Sequence, residues 1–128
     1  MNQNLMAKTS CVFICTTMYH EADYEMEQLL YSLHRVDMAR NVSNRRIESH
    51  VWFDGAVKRD VLNSYVLQLI SLVNKTLGVE LNKCMKLETP YGMELRWRLP
   101  GGMNFHIHLK DNLKVDANYA PYMTIDKL

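Results

Sequence analysis

The segment SCVFICTTMYHEADYEMEQLLYSLHRV, residues 10–36, sets the fold class because its pattern changes along its length. It opens with a continuous apolar, β-branched run at residues 10–15, which is typical of a central parallel strand covered on both faces. From about Ala22, apolar residues recur at steps of three and four, which indicates a helix. These residues are Met26, Leu29, Leu30, Leu33 and Val36. The segment therefore predicts a strand, a loop and a helix.

A second unit of the same kind follows. The run IESHVWF at residues 47–53 alternates, which predicts a strand with His50 and Trp52 on one face. Its other face carries Ile47, Ser49, Val51 and Phe53. Asp54-Gly55 reads as a turn, and Gly78 is a plausible end for a long helix that follows. The apolar stripe of that predicted helix is formed by Val61, Leu62, Tyr65, Val66, Leu69, Ile70, Val73 and Leu77.

The next part of the chain has the pattern of a β-hairpin. MELRWRL at residues 93–99 and NFHIHLK at residues 104–110 both alternate, and Pro100-Gly101-Gly102 lies between them, so we expect two antiparallel strands with one solvent-exposed face. Two βα units and a hairpin predict one α/β domain with a largely parallel sheet, helices and an antiparallel hairpin insertion. Residues 115–128 have no clear period and are expected to be loosely ordered.

Bulk composition excludes several classes of partner. The chain has 128 residues, the size of a single domain, with 15 basic and 14 acidic residues. Because it lacks a basic run, nucleic acid is a poor candidate. No segment approaches the roughly 20 apolar residues that span a bilayer, so no transmembrane segment is predicted. Cys11, Cys15 and Cys84 form an odd set without zinc-knuckle spacing, which favours reduced thiols.

Polar residues gather where the two predicted strands end. Thr16, Thr17, Tyr19 and Glu21 follow the first strand, and Asp54 follows the second. Ligands of open α/β sheets bind beyond the carboxyl ends of the strands, so these side chains could converge on one crevice. A tyrosine ring can stack on a base, and carboxylates can accept hydrogen bonds from a base or a ribose. The pattern indicates a candidate nucleotide site.

Helix capping is the alternative interpretation of the same residues. Thr17 or His20 could cap a helix whose first turn carries Glu21, Asp23 and Glu25, since acidic residues are favoured at a helix N-terminus. Short motifs of this kind discriminate weakly between the two interpretations.

The sequence gives little support for a phosphate-binding loop, a metal site or a catalytic nucleophile. Pro100-Gly101-Gly102 is a hairpin loop rather than a phosphate cradle, since no P-loop or G-x-G-x-x-G follows a strand. His106 and His108 share one strand face at a spacing that some metal sites use. No third ligand of the right type is predicted near them, so they are interpreted as solvated strand histidines. No nucleophile elbow is present.

Four ordered motifs resemble a known family. TMYHE at residues 17–21, HVWFDGA at 50–56, TPYGMELRWRLPGG at 89–102 and HLKD at 108–111 are similar to the first part of the catalytic domain of animal chitin synthases. The order and spacing of the motifs are similar too, and the resemblance covers residues 10–114.

The resemblance implies a processive, inverting family-two glycosyltransferase with a partial GT-A-like (Rossmann-like) fold. Such an enzyme moves N-acetylglucosamine from UDP-N-acetylglucosamine to a growing chitin chain at the cytosolic face of the plasma membrane. Thr17, Tyr19 and Glu21 match the first motif and Asp54 matches the second, which implies that they bind the uridine. The complete enzyme is expected to use Mg²⁺ or Mn²⁺, with no ligand assigned in this chain, and to reach the membrane through other segments.

Departures from the family pattern shape the remaining expectations. Gly55 stands where a second acid is usual, and residues 115–128 do not resemble the family. The acidic metal motif, the catalytic-base motif and the Gln-x-x-Arg-Trp motif are not found, so no catalytic residue is assigned. We expect residues 1–128 to be the incomplete N-terminal part of a catalytic domain, inactive alone.

Two other functions remain open. The chain could be a non-catalytic regulatory or interaction domain derived from a glycosyltransferase. It could also belong to an enzyme of another linkage type, such as a hyaluronan or cellulose synthase relative, which would not explain TPYGMELRWRLPGG.

Overall fold

The structure, a computed structural model, describes residues 11–19, 21–39, 46–58 and 61–113. Within these residues the chain forms six strands and two α-helices, and a 3-10 turn covers Leu81–Lys83. In chain order the elements are β1 (Cys11–Met18), α1 (Asp23–Ala39), β2 (Arg46–Lys58), β3 (Val61–Leu62), α2 (Ser64–Leu77), β4 (Met85–Thr89), β5 (Gly92–Arg98) and β6 (Asn104–Asp111). Neither helix is both long enough and apolar enough to cross a bilayer. The C-terminal segment expected to be loosely ordered, residues 115–128, lies outside the described residues.

The strands form one mixed sheet in the order β1-β2-β6-β5-β4, and β3 pairs with the end of β2. β1, β2 and β6 run parallel to one another. β4, β5 and β6 form an antiparallel meander, so the predicted hairpin is confirmed. The α/β class predicted from the sequence is confirmed as well, and the arrangement is consistent with a partial Rossmann-like fold.

The hydrophobic core lies between one face of the sheet and the two helices. From α1 it takes Met26, Leu30 and Leu33, as the periodicity predicts. The other main contributors are Val66, Leu69, Val73 and Leu77 of α2, Val51 and Phe53 of β2, and Phe105, Ile107 and Leu109 of β6. Since all of them belong to one apolar cluster, burial of this cluster is the main term that stabilises the fold.

The second helix begins later than its apolar stripe suggests. Val61 and Leu62 form β3 instead of a first helical turn, so their placement in a helix was wrong. Asn63 caps α2, and its side-chain oxygen accepts a hydrogen bond from the Tyr65 N–H at 2.8 Å. The helix ends at Gly78, which has a φ of 67° and confirms the predicted stop.

β1 lies at one end of the sheet rather than in its centre. Among the described residues it pairs only with β2. Phe13 is 60% exposed, and Cys11 and Val12 are exposed as well. The expectation of a strand covered on both faces is therefore wrong, because an apolar run gives a strand but not its position in the sheet.

A buried aspartate connects α1 to the loop between β5 and β6. Asp37 has no exposed surface, and its two carboxylate oxygens accept the N–H groups of Gly101 and Met103, each at 2.8 Å. The loop approaches so closely that a Cβ on Gly101 would lie 2.3 Å from the carbonyl oxygen of Asp37. Asp37 therefore fixes the position of the hairpin relative to the helix.

Candidate functional site

The four predicted uridine-binding residues line one cavity at the carboxyl ends of β1 and β2. The cavity measures about 450 Å³ and is lined by Thr17, Met18, Tyr19, Glu21, Trp52, Asp54 and Lys110. The structure thus brings together residues from both predicted motifs. Met18 of β1, Trp52 of β2 and Lys110 of β6 are the lining residues that the sequence interpretation missed.

The end of β1 places three of these residues. Thr16 and Thr17 lie within β1 rather than after it, and Thr17 is paired with Trp52 of β2. Tyr19 follows the strand, and its N–H donates a hydrogen bond to Oε2 of Glu21 at 2.6 Å. This bond folds the Glu21 carboxylate back toward the strand end, which keeps it beside the cavity.

The start of α1 is capped by other residues. The side chain of Glu25 accepts a hydrogen bond from the Ala22 N–H at 3.2 Å, and the N–H groups of Glu25 and Met26 donate to the Ala22 carbonyl. This is the carboxylate half of a capping box. Thr17 is in a strand and does not cap the helix, so that alternative was wrong, and His20 lies outside the described residues.

Asp54 is presented by an irregularity in β2. The strand continues through Asp54 and Gly55 to Lys58, so the predicted turn was wrong. Instead, the pairing of β2 with β6 shifts register after Phe53, and Gly55 has a φ of 65°. Such a bulge re-aims the side chains beside it. The Asp54 side chain is 60% exposed, and one of its oxygens lies 3.5 Å from Nζ of Lys110.

Gly55 also leaves room for the aromatic ring of the cavity. A Cβ at position 55 would lie 3.3 Å from Cε2 of Tyr19. The ring of Tyr19 therefore lies against the bulge, next to Asp54, although the two residues are far apart in the sequence.

A second group of polar residues lies on the face of the sheet opposite the helices. His50, Glu94, His106 and His108 each offer a metal-ligating atom, and these atoms lie within 4.8 Å of one another. We call these four residues the histidine cluster. The interpretation of His106 and His108 as solvated strand histidines without a third ligand was wrong. Both are buried, as is Glu94, and the expected solvent-exposed face of the hairpin is buried at this point.

Strand pairing explains why the cluster forms. In the parallel pair, His50 of β2 lies opposite His106 of β6, and in the antiparallel pair Glu94 of β5 lies opposite His108. Sequence alternation places each residue on the correct face of its own strand. The missing information was that β2 and β5 both neighbour β6.

Hydrogen bonds connect the members of the cluster. Nδ1 of His50 lies 2.8 Å from Nε2 of His108, and Nδ1 of His106 lies 3.0 Å from Oε1 of Glu94. The hydroxyl of Tyr91 lies 2.6 Å from Nδ1 of His108. The three imidazoles are nearly parallel, and His50 and His106 stack with a centroid distance of 4.1 Å.

The surroundings favour the neutral forms of His50 and His108 and the ionised form of Glu94. Burial, which the charge of Glu94 only partly offsets, lowers the pKa of His108 to about 4. Burial and the neighbouring His106 lower the pKa of His50. Burial alone would raise the pKa of Glu94, but hydrogen bonds from Arg96 and His106 outweigh it and lower that pKa. At neutral pH, His50 and His108 are therefore neutral and Glu94 is ionised.

These pKa shifts predict that acid destabilises the fold. His108 titrates near 6.5 when unfolded and near 4 when folded, so between these values the unfolded chain binds more protons and stability falls as pH falls. The lowered pKa of Glu94 acts in the same direction, as the unfolded carboxylate is protonated first. We expect the melting temperature to drop as the pH falls from roughly 7 to roughly 4.

Thermal melting of the metal-free chain at a series of pH values would check this expectation. His108→Asn should flatten the pH dependence, because the shifted group is gone, whereas the control His34→Asn on α1 should leave it unchanged. Equal slopes in the wild type and in His108→Asn would contradict the assignment of the acid sensitivity to this cluster.

The cavity and the histidine cluster share a wall. The ring of Trp52 stacks on His108 with a centroid distance of 3.8 Å and an interplanar angle of 7°. Trp52 also lines the cavity. The orientation of the cluster therefore bears directly on the shape of the cavity.

No protein-family model matches the chain, and no solved structure matches it. Three curated proteins do. Chitin synthase chs-1 of Caenorhabditis elegans is 35% identical in an alignment that covers 81% of this chain and 10% of the relative. Chitin synthase chs-2 of the same nematode is 30% identical, and the alignment covers 81% of this chain and 8% of the relative. A chitin synthase of Meloidogyne artiellia is 28% identical, and the alignment covers 81% of this chain and 7% of the relative.

The chain thus spans a tenth or less of the length of the curated relatives that it matches. The matches agree with the resemblance carried by its four motifs. By sequence, most of the chain is similar to a short part of the chitin synthases.

Proposed function

We propose that this chain is the part of a chitin synthase that holds the uridine end of UDP-N-acetylglucosamine. The observation that carries the proposal is the convergence of Thr17, Tyr19, Glu21 and Asp54 on one cavity. The cavity lies at the carboxyl ends of neighbouring parallel strands, which is the usual ligand position in open α/β sheets. Its volume of about 450 Å³ is within the range of small-molecule sites.

The chemistry of the lining suits a nucleotide. Tyr19 is half exposed and offers an aromatic ring on which a base can stack. The carboxylates of Asp54 and Glu21 accept hydrogen bonds from the imide N–H of uracil or from the ribose hydroxyls. Lys110, on the same wall, provides a positive charge for the diphosphate.

The complete protein, in this proposal, is a processive inverting glycosyltransferase at the cytosolic face of the plasma membrane. It transfers N-acetylglucosamine to a growing chitin chain. The reaction needs a base to deprotonate the acceptor hydroxyl and uses a divalent cation to neutralise the leaving diphosphate.

The cavity does not fit that cation. Asp54 faces Lys110, and Glu21 accepts the N–H of Tyr19. Among the described residues, the group of three or more possible metal ligands is the histidine cluster, and none of its members lines the cavity. This chain's residues would therefore bind and orient the nucleotide, while the cation would be held elsewhere in the complete enzyme.

Binding of UDP should depend on Asp54. A well-formed hydrogen bond to a charged acceptor contributes roughly 1.5–3 kcal/mol, so Asp54→Ala should weaken binding about tenfold or more. NMR titrations of the wild type and of this variant with UDP and with uridine would measure the change. Uridine should perturb the same residues as UDP, because its base and ribose are the groups that the cavity recognises.

Asp23→Ala is the matched control, because Asp23 is an exposed acid in the first turn of α1 and does not line the cavity. It should bind UDP as the wild type does. The proposal fails if Asp54→Ala and the wild type titrate alike. It also fails if the perturbations are confined to the hairpin loop around Gly101.

A further inference from the structure

The ligating atoms of the histidine cluster all lie within 4.8 Å of one another, and three of the distances between them are close to those of a tetrahedral metal site. A zinc ion with ligands at 2.0–2.1 Å holds its ligand atoms roughly 3.3 Å from one another. Nδ1 of His50 lies 2.8 Å from Nε2 of His108, and Nε2 of His108 lies 3.6 Å from Oε1 of Glu94. Nδ1 of His106 lies 3.0 Å from the same oxygen. These atoms scatter around the tetrahedral spacing.

The outward nitrogens of His50 and His106 face a carboxylate. Oε1 of Glu48 lies 3.4 Å from Nε2 of His50 and 3.3 Å from Nε2 of His106. Histidines that ligate metals almost always direct their other ring N–H at a carboxylate, a carbonyl or water, which fixes the tautomer and the ring orientation. Glu48 occupies that position for His50, and it lies close to His106 without forming a hydrogen bond to it.

The other two members of the cluster are supported in the same way. The hydroxyl of Tyr91 lies 2.6 Å from Nδ1 of His108, the nitrogen that faces away from the other ligand atoms. Arg96 forms an ion pair with Oε2 of Glu94 at 3.0 Å, which leaves Oε1 directed at the cluster. All four ligand residues therefore have a second contact that orients them.

One adjustment is required for a metal to bind. His50 and His106 stack within 10° of parallel, so the lone pairs in their ring planes cannot both point at one ion. A turn of one ring about its Cβ–Cγ bond corrects this, and that torsion is broad in histidine. In the same region, Nε2 of His106 is buried without a hydrogen bond, so the turn would not break one there.

We infer that His50, Glu94, His106 and His108 form a closed structural site for a zinc ion. Three imidazole nitrogens and one carboxylate oxygen are a donor set typical of zinc, and four protein ligands leave no open position for catalysis. The ion would connect β2, β5 and β6 on the face that the helices do not cover. The inference does not depend on the proposed nucleotide site, whose lining residues are different.

Zinc content and affinity provide the test. Purified chain should retain one zinc ion by elemental analysis after dialysis, and zinc should raise its melting temperature. Against a competing chelator, Glu48→Gln should weaken zinc binding about 10–100-fold, the usual effect of losing a group that orients a ligand. His50→Asn and His106→Asn should weaken it further, and His34→Asn, on α1, should not.

A spectroscopic measurement on the wild type keeps the test independent of how the variants fold. Cobalt added to metal-free chain should give the intense visible absorption of a tetrahedral site, and zinc should displace it. The inference is overturned if cobalt gives only the weak spectrum of the hydrated ion, if zinc binds substoichiometrically, or if folded His50→Asn and His106→Asn bind zinc as tightly as the wild type. The cluster would then be a hydrogen-bonded network only.

Discussion

Replacing Gly92 with alanine is expected to cost at least about 4 kcal/mol of folding free energy, enough to abolish cooperative unfolding in a small domain. Gly92 begins β5 with a φ of 151°, a conformation that side-chain-bearing residues rarely adopt. A Cβ there would lie 2.1 Å from the carbonyl oxygen of Leu109 and 3.0 Å from the amide nitrogen of Asp111. Both are backbone atoms of β6, the central strand, so the clash cannot be relieved by a rotamer change.

Gly78→Ala is the matched control. Gly78 has a φ of 67° at the end of α2, and a Cβ there meets no atom within 4 Å. The Gly78→Ala substitution should lower the free energy of unfolding by about 1 kcal/mol, the strain of placing a side chain in the left-handed region. Urea unfolding followed by circular dichroism would compare the two variants. If Gly92→Ala unfolded at the same urea concentration as Gly78→Ala, the close approach of β5 to β6 would be wrong.

Replacing Asp37 with alanine is expected to destabilise the fold by roughly 3 kcal/mol. The change leaves the N–H groups of Gly101 and Met103 without their acceptor, and each unsatisfied buried group costs about 1–3 kcal/mol. The hairpin loop would then lose its fixed position against α1. Chemical unfolding would measure the loss of stability. Slower hydrogen exchange at either amide in the variant than in the wild type would contradict the assigned role.

Asp23→Ala is a suitable control for Asp37→Ala. Asp23 lies in the first turn of the same helix, where a negative charge interacts favourably with the helix dipole, and it is exposed. Its replacement should cost less than about 1 kcal/mol. A similar loss in both variants would mean that Asp37 acts through helix formation alone and not through the loop.

The role of Asp37 could not be predicted from the local sequence. An acidic residue near the C-terminus of a helix interacts unfavourably with the helix dipole. The helical pattern therefore gives no indication that Asp37 stabilises the fold. Its partners lie 64 and 66 residues further along the chain. Only the folded structure shows that its two oxygens satisfy two amides of another element.

Local periodicity was a sound guide to the elements themselves. The steps of three and four residues gave α1, and the alternation from Met93 to Leu99 gave β5 with its buried face. Strand order was not accessible in this way, because it depends on contacts between distant segments. β1 was therefore placed in the centre of the sheet although it lies at one end.

The same limitation explains why the cavity could be predicted from the sequence and the histidine cluster could not. The cavity could be predicted, because the carboxyl ends of neighbouring parallel strands meet at one edge, whichever other strands surround them. The histidine cluster needs β2 and β5 on opposite sides of β6, so His50 and Glu94 could not be connected with His106 beforehand. Asp54-Gly55 shows a third case, since this dipeptide is common in turns and here forms a bulge within a strand.

The central position of β6 determines when the domain can fold during synthesis. β1 and β2 are made early and pair with each other, and β4, β5 and β6 form a second local group. The two groups are joined through the parallel pairing of β2 with β6, the last described strand to be synthesised. Until Asn104–Asp111 has left the ribosome, β2 has no partner on that side and Val51 and Phe53 lack their neighbours in the core. The edge of β2 therefore stays open from the synthesis of β2 until β6 has left the ribosome, an interval in which an unpaired strand is prone to aggregation.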